Sequence, residues 1–197
     1  MRIGVFGGAF DPPHSAHVAL IAAAFEQLQL DALRVFPTGQ AWHKPRALSP
    51  APHRLAMAEL AFGGMPGVAV DGREIRRSGP TYTIDTLREL QAEEPSATLA
   101  LIIGEDQALA LTQWHEWEAV LEAAIICIAG RVQAAGTEPQ FDPSKLPQGR
   151  FLRLQLPAMP VSATEIRSRV ASRLGIDPLV PGPVARYIAQ HHLYQTA

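Results

Sequence analysis

Two histidines three residues apart, His14 and His17, stand just behind a glycine pair in the run Gly7-Gly8-Ala9-Phe10-Asp11-Pro12-Pro13-His14-Ser15-Ala16-His17. At a helix start this spacing lets both imidazoles project from one face, beside the positive end of the helix dipole. Glycines at a strand end let the backbone turn tightly and approach a ligand with no Cβ in the way, leaving amide N–H groups to face an anion. Phosphate oxygens could then accept hydrogen bonds from imidazoles, backbone and helix terminus together. Two other readings use the same residues: a plain turn whose prolines open the helix, and a metal site drawing on Asp11, His14 and His17. Zinc-binding helices usually place their histidines at i and i+4, however, and a metal leaves the glycine loop without a use.

Further chemistry-bearing residues are scattered along the chain. Lys44 sits in a proline-flanked loop, and Gly104 with Asp106 follows the very apolar run 99–103. A carboxylate there suits the hydroxyls of a ribose, or caps the next helix. Ser162, Thr164 and Arg167 combine a helix N-terminus with a cation one turn in; Ser162 with Glu165 reads equally well as a capping box. Trp114 and Trp117 are by default packing aromatics, and Cys127 an inert strand thiol. Arg73, Arg76 and Arg77 form a basic cluster that reads first as a solvated face, although a phosphate could use one of them. His53, His115, His191 and His192 join no constellation.

For residues so far apart to act together, strand ends must bring them to one place. Short apolar runs at 2–6, 32–36, 68–70, 99–103, 125–129 and 151–154 predict strands. Helical periodicity predicts helices over 15–28, 52–62, 83–93 and 117–124 between them, and over 164–174 and 184–192 at the end. Such alternation calls for a doubly wound parallel α/β sheet with helices on both faces, because each crossover is right-handed and folds a helix back onto the sheet. Ligands of such sheets bind outside the carboxyl ends of the strands. The polar stretch 132–149, rich in Pro and Gly, reads as a long connection rather than a boundary. One domain over residues 1–197 is expected, with the C-terminal helices, about 164–197, packed on it.

Composition narrows the class. In 197 residues, 47% are hydrophobic and 18% charged, the balance of an ordinary globular chain. A single cysteine allows no intrachain disulfide and fits a reducing compartment. No signal-peptide pattern opens the chain and no apolar run reaches a bilayer span, so a cytoplasmic protein without a membrane partner is expected. A net charge of −2 removes the main electrostatic argument for a nucleic-acid partner.

The run from Gly7 to His17 resembles the GGxFDPxHxxH signature of bacterial nicotinate mononucleotide adenylyltransferases, within the HxGH nucleotidyltransferase superfamily. Pro37-Thr38-Gly39 with His43-Lys44, Tyr82-Thr83-Ile84-Asp85-Thr86-Leu87, Ile103-Gly104-Glu105-Asp106 with Trp114 and Trp117, and Ser162-Ala163-Thr164-Glu165-Ile166-Arg167 are similar to that family's further blocks. Tyr187-Ile188 and His192-Leu193-Tyr194 are similar to its tail. Ala16 stands where the superfamily has Gly, Ala9 replaces a usual Thr and Ala163 a usual Ser; the last two remove hydroxyls and leave backbone contacts there.

The resemblance implies a Rossmann-like fold with a small C-terminal helical part. It also implies adenylyl transfer from ATP to nicotinate mononucleotide in NAD biosynthesis, by in-line attack without a covalent intermediate. His14, His17, Lys44 and Arg167 are then the catalytic groups that align and neutralise phosphates. Gly7, Gly8, Ala9, Phe10, Gly104, Asp106, Ser162 and Thr164 bind ATP, while Tyr82, Thr83 and Trp114 take the acceptor, with Trp114 on the pyridine ring. Mg²⁺ is expected with ATP, held largely by phosphates and water. Nicotinamide mononucleotide is the runner-up acceptor, and phosphopantetheine a more distant one. A non-catalytic nucleotide binder is the alternative of a different class, against which the histidines, Lys44 and Arg167 speak, since a mere binder needs no transition-state donors. A homo-oligomer stays open.

Overall fold

The computed structural model describes residues 1–39, 48–131, 140–157 and 159–195. Its elements follow in the order β1 (Arg2–Gly8), α1 (Ser15–Leu28), β2 (Ala32–Pro37), α2 (Ala51–Phe62), β3 (Val68–Val70), α3 (Arg73–Arg76), α4 (Thr83–Glu93), β4 (Thr98–Gly104), α5 (Glu105–Leu109), α6 (Trp117–Ala123), β5 (Ala124–Arg131), β6 (Phe151–Leu156), α7 (Ala163–Ala171) and α8 (Gly182–Gln190). The six strands form one sheet in the order β3-β2-β1-β4-β5-β6, with every pairing parallel. The chain winds outward from β1 to β3, then crosses back and winds the other way from β4 to β6. Between β1 and β4 the winding reverses, so their connections leave toward opposite faces and open a crevice at their carboxyl ends. This is the Rossmann-like, doubly wound α/β architecture.

Side-chain alternation along the strands builds two layers. Ile3 and Val5 of β1, with Leu99, Leu101 and Ile103 of β4, pack beneath Ile84 and Leu87 of α4 and Val120 and Leu121 of α6. Phe6, Leu33, Val35, Ala100, Ile102 and Cys127 form the other layer, with Ile21 and Ala24 of α1 and Ala58 and Phe62 of α2. Strands covered on both faces read as unbroken apolar runs, which is why they stood out in the sequence. A third cluster joins Met57 of α2 to Ile166 of α7, Ile176, Val180, and Val184 and Ile188 of α8, fastening the C-terminal helices beside the first half of the sheet.

Several strands run one or two residues past their apolar cores, β1 to Gly8, β2 to Pro37, β5 to Arg131 and β6 to Leu156. Ladder hydrogen bonds need only backbone, so hydropathy does not mark those ends. The helix expected over 164–174 stops at Ala171, where the chain turns through Arg173 at φ 57. α8 starts earlier than expected, because a proline in the first helical turn is tolerated where no N–H is needed. The short helices α3 and α5 were not expected; four or five residues are too few for a 3.6-residue period to show. Among the described residues no helix is long and apolar enough to cross a membrane.

Candidate functional site

The end of β1 shows why glycine occupies positions 7 and 8. Gly7 is exposed, and a Cβ there would meet nothing within 4 Å, so its backbone borders open space. A Cβ on Gly8 would lie 2.9 Å from Phe10 Cζ, because the Phe10 ring folds back over it. Phe10 adopts φ 47, in the left-handed region that a bulky residue keeps only when its surroundings hold it there. Its buried ring makes edge contacts with Phe6 and Phe62, both at 5.4 Å, and with His17 at 5.2 Å. Packing in the loop is thereby transmitted to a candidate catalytic ring.

His14 and His17 stack with centroids 3.7 Å apart and planes 21° from parallel. His14 is the N-cap of α1 in extended conformation, and its backbone N–H donates to His17 Nδ1 at 3.1 Å. A ring nitrogen that accepts carries no proton, so the neutral His17 keeps its proton on Nε2, a donor. Burial pushes the His14 imidazole down to about 4. Burial, and then the neighbouring His14, hold His17 well below the ordinary 6.5. The pair is therefore uncharged at neutral pH. His14 Nδ1 is, among the described residues, the one buried side-chain nitrogen or oxygen with no hydrogen-bond partner. No acidic residue occupies the first turn of α1, so no carboxylate there offsets the positive end of its dipole.

A brace that was not legible in the sequence holds this loop. Arg54 of α2 is 2% exposed, and its guanidinium donates to four backbone carbonyls: Ser49 O at 3.0 Å, Ala9 O at 3.0 Å, Thr38 O at 2.7 Å and Gly39 O at 3.1 Å. It ties the β1 loop to the end of β2. Asp11 is equally buried; Tyr194 Oη donates to its Oδ1 at 2.7 Å and the Ser49 N–H to its Oδ2 at 3.2 Å. Its carboxylate thus serves the loop, and among the described residues no group of three His, Cys, Asp or Glu side chains is arranged to hold a metal ion. In sequence Arg54 is one arginine in an amphipathic helix, and nothing local signals its burial.

Arg167 is brought to the same loop from α7, 156 residues away, donating Nη1–H to Asp11 O at 2.8 Å and Nη2–H to Thr164 Oγ1 at 3.0 Å. Ser162 is the N-cap of α7 and its Oγ accepts the Glu165 N–H at 3.1 Å, so it caps as well as flanking the site. Phe6 lies opposite Ile102, so β1 and β4 finish side by side at Gly8 and Gly104. Gly104 is the N-cap of α5 and Asp106 lies in the first turn, exposed, which removes the reading of Asp106 as the cap. The Asp106 carboxylate folds over Gly104, where a Cβ would stand 2.8 Å from Oδ1.

Tyr82, Thr83 and Trp114 belong to the other layer. Thr83 opens α4, whose N-cap residue Tyr82 makes no side-chain cap, leaving amides of the first turn without that partner. The Tyr82 ring lies 4.1 Å from that of His115, tilted by 30°, which joins the start of α4 to the segment of Trp114. His115 thus has a neighbour that its sequence context did not announce. Trp114 is half-buried against the α4/α6 core, and Trp117 packs there too. Lys44, with His43, lies outside the described residues.

The remaining candidates resolve into structural roles. Arg73 is paired with Asp71 at 2.6 Å and Glu93 at 2.9 Å and lies over the Phe36 ring, and Arg77 is paired with Glu89 at 2.8 Å, so these two brace α3 against α4. Burial pushes the Cys127 thiol up to about 11, as an inert strand residue requires. His53 accepts or donates one hydrogen bond with Tyr187 Oη at 2.9 Å at the α2/α8 contact.

Residues 5–169 match the cytidylyltransferase-like family model. A protein of Albidiferax ferrireducens named a probable nicotinate-nucleotide adenylyltransferase is 61% identical over 196 residues, covering 100% of this chain and 99% of that one. One of the same name from Methylibium petroleiphilum is 44% identical, covering 98% and 92%. The Plasmodium falciparum nicotinic acid mononucleotide adenylyltransferase complexed with NaAD superimposes with a TM-score of 0.76 at 19% identity, covering 98% of this chain and 97% of that one, which is a likeness of fold. With its strand order, its diglycine loop and its paired imidazoles, the chain belongs to the cytidylyltransferase-like proteins and, among them, to the nicotinate-nucleotide adenylyltransferase family.

Proposed function

We propose that this chain transfers the adenylyl group of ATP to nicotinate mononucleotide, giving nicotinate adenine dinucleotide and pyrophosphate. The observation that carries the reading is the stacked, uncharged His14–His17 pair at the N-terminus of α1, beside the Gly7-Gly8 backbone and at the reversal of the sheet's winding. An oxygen of the mononucleotide phosphate attacks the α-phosphorus of ATP. The bond from that phosphorus to the bridging oxygen of the β-phosphate breaks, and pyrophosphate leaves with the electron pair. The attacking group is already ionised, so no protein nucleophile or base is needed, and the work of the site is alignment and charge stabilisation.

In this reading the His17 Nε2–H and the amides at residues 8–10 donate to the α-phosphate, with His14 beside them toward the leaving phosphates. Arg167, Thr164 and the amides at the start of α7 hold the β- and γ-phosphates, joined by Lys44. Asp106, at the end of β4, accepts from ribose hydroxyls. Thr83 and the amides of α4 take the nicotinate carboxylate, Tyr82 borders it and Trp114 stacks on the ring. The histidines belong to the α1/α2 layer and the acceptor set to the α4/α6 layer, so the two nucleotides meet over the strand ends from opposite sides.

Mg²⁺ is the ion expected to accompany ATP, where it would offset phosphate charge. We expect its remaining coordination to come largely from phosphate and water. The cytoplasm, where ATP is at hand and a lone thiol stays reduced, is the setting of this reading. The test is pyrophosphate release from ATP and Mg²⁺ mixed with nicotinate mononucleotide, nicotinamide mononucleotide or phosphopantetheine in turn. Fastest release with the first is expected; release with none of them overturns the proposal, and preference for another acceptor overturns the assignment of the α4 amides to a carboxylate.

A further inference from the structure

The last residues of the chain reach back to the loop that carries the histidines. Tyr194 packs in the apolar cluster of Met57, Ile166, Val184 and Ile188, half-buried, and its hydroxyl, 3.9 Å from Met57 Sδ at the edge of that cluster, donates to Asp11 Oδ1 at 2.7 Å, across 183 residues of sequence. A residue needed only to fill the cluster has no use for a hydroxyl aimed at a buried carboxylate. Asp11 is in turn the hub of the loop: Ser49 donates to its other oxygen and Arg167 to its carbonyl. The residue before it, Phe10, keeps φ 47 while its ring rests against His17 at 5.2 Å. A left-handed phenylalanine relaxes unless both flanks are pinned. Arg54 pins one flank through Ala9 O at 3.0 Å, and the Tyr194–Asp11 bond pins the other.

We infer that Tyr194 is a positioning residue of the adenylyl-transfer site: its hydroxyl fixes the Asp11 carboxylate, and through it the Phe10 backbone and the His17 ring. The C-terminal tail thereby braces the loop that carries the paired histidines. Burial, followed by the bond to Asp11, raises the Tyr194 hydroxyl above its ordinary range, so it remains a donor throughout the pH range in which the protein works. The inference rests on the functional reading above, and wild-type pyrophosphate release under the conditions already described separates the two.

The test compares Tyr194→Phe, which removes one oxygen, with Val184→Ala, which trims the same apolar cluster and has no polar atom to offer Asp11. Tyr194→Phe is expected to lower kcat about tenfold, the scale of a sub-ångström misplacement of a catalytic donor, while the KM for the acceptor stays within about twofold. Val184→Ala is expected to lower the melting temperature at least as much and to keep kcat. In an Asp11→Asn or Asp11→Ala background, whichever folds, Tyr194→Phe should cost kcat distinctly less than it does in the wild type. Should the wild type turn over and Tyr194→Phe match it, or lose activity only in step with its melting temperature as Val184→Ala does, or should the Asp11 background leave its effect undiminished, the inference is overturned.

Discussion

Two buried titratable groups pull the stability of this protein in opposite directions over nearly one pH window, and substituting each should expose the other. His14 has a pKa of about 4 in the folded chain, against 6.5 when unfolded. Between those values the unfolded state binds the proton and the native state does not, so stability falls on acidification from pH 6.5 to 4. At about 1.36 kcal/mol for each pH unit, the loss is about 3 kcal/mol. Glu74 is buried on α3, where desolvation raises its carboxyl from 4.5 to about 7, even though Thr86 Oγ1 donates to it at 2.8 Å. Between pH 4.5 and 7 the native state holds a proton that the unfolded state has lost, so stability falls as pH rises, again by about 3 kcal/mol. The Glu74 slope opposes that of His14, to which His17, also held below its ordinary value, adds in the same direction. Urea unfolding of the nucleotide-free protein, followed by fluorescence of its three tryptophans at pH 4.5, 5.5, 6.5 and 7.5, measures this directly. Relative to wild type, Glu74→Gln should gain about 2 to 3 kcal/mol at pH 7.5 and almost nothing at pH 4.5. His14→Gln should gain on the acid side and converge above pH 6.5. Parallel curves for the three proteins would refute the assignment of either group as buried against its charge.

Three further outcomes test the site. His17→Ala should keep the fold and lower kcat about a hundredfold, the loss of one transition-state donor worth roughly 3 kcal/mol, as steady-state pyrophosphate release will report. Gly8→Ala drives a Cβ to 2.9 Å from the Phe10 ring, so thermal melting should show a loss of about 1 to 3 kcal/mol and kcat should fall with it. Arg54→Lys keeps the charge, but an ammonium has three donors and no planar fork, and four carbonyls await it. A cost of about 2 to 3 kcal/mol in urea unfolding is expected, and an unchanged midpoint would show that the guanidinium is not what closes the loop.

What could be read from the sequence was whatever local chemistry records. Strands buried on both faces require continuous apolar residues, so the runs of β1, β4 and β5 marked the sheet and its α/β class. The diglycine bend, the two histidines at a helix start and the Ser162–Arg167 helix opening are contiguous motifs, and Ser162 forms the N-cap that its residue type prefers. Arg54, Tyr194 and His115 escaped because their roles depend on partners far along the chain. Arg54 meets Ala9, Thr38 and Gly39; Tyr194 meets Asp11; His115 meets Tyr82. An arginine on an amphipathic helix and a tyrosine in a tail carry no local mark of burial. The lowered His14 and His17 values likewise arise from desolvation and stacking, which exist only once the sheet and α1 are packed. Sequence alone therefore determined which residues are chemically suited to a phosphate. The strand order, reversing between β1 and β4, and the docking of α7 decided that His14, His17 and Arg167 gather at one loop, because only the assembled sheet sets strand ends side by side and only its packed core desolvates those rings and holds them below their ordinary 6.5.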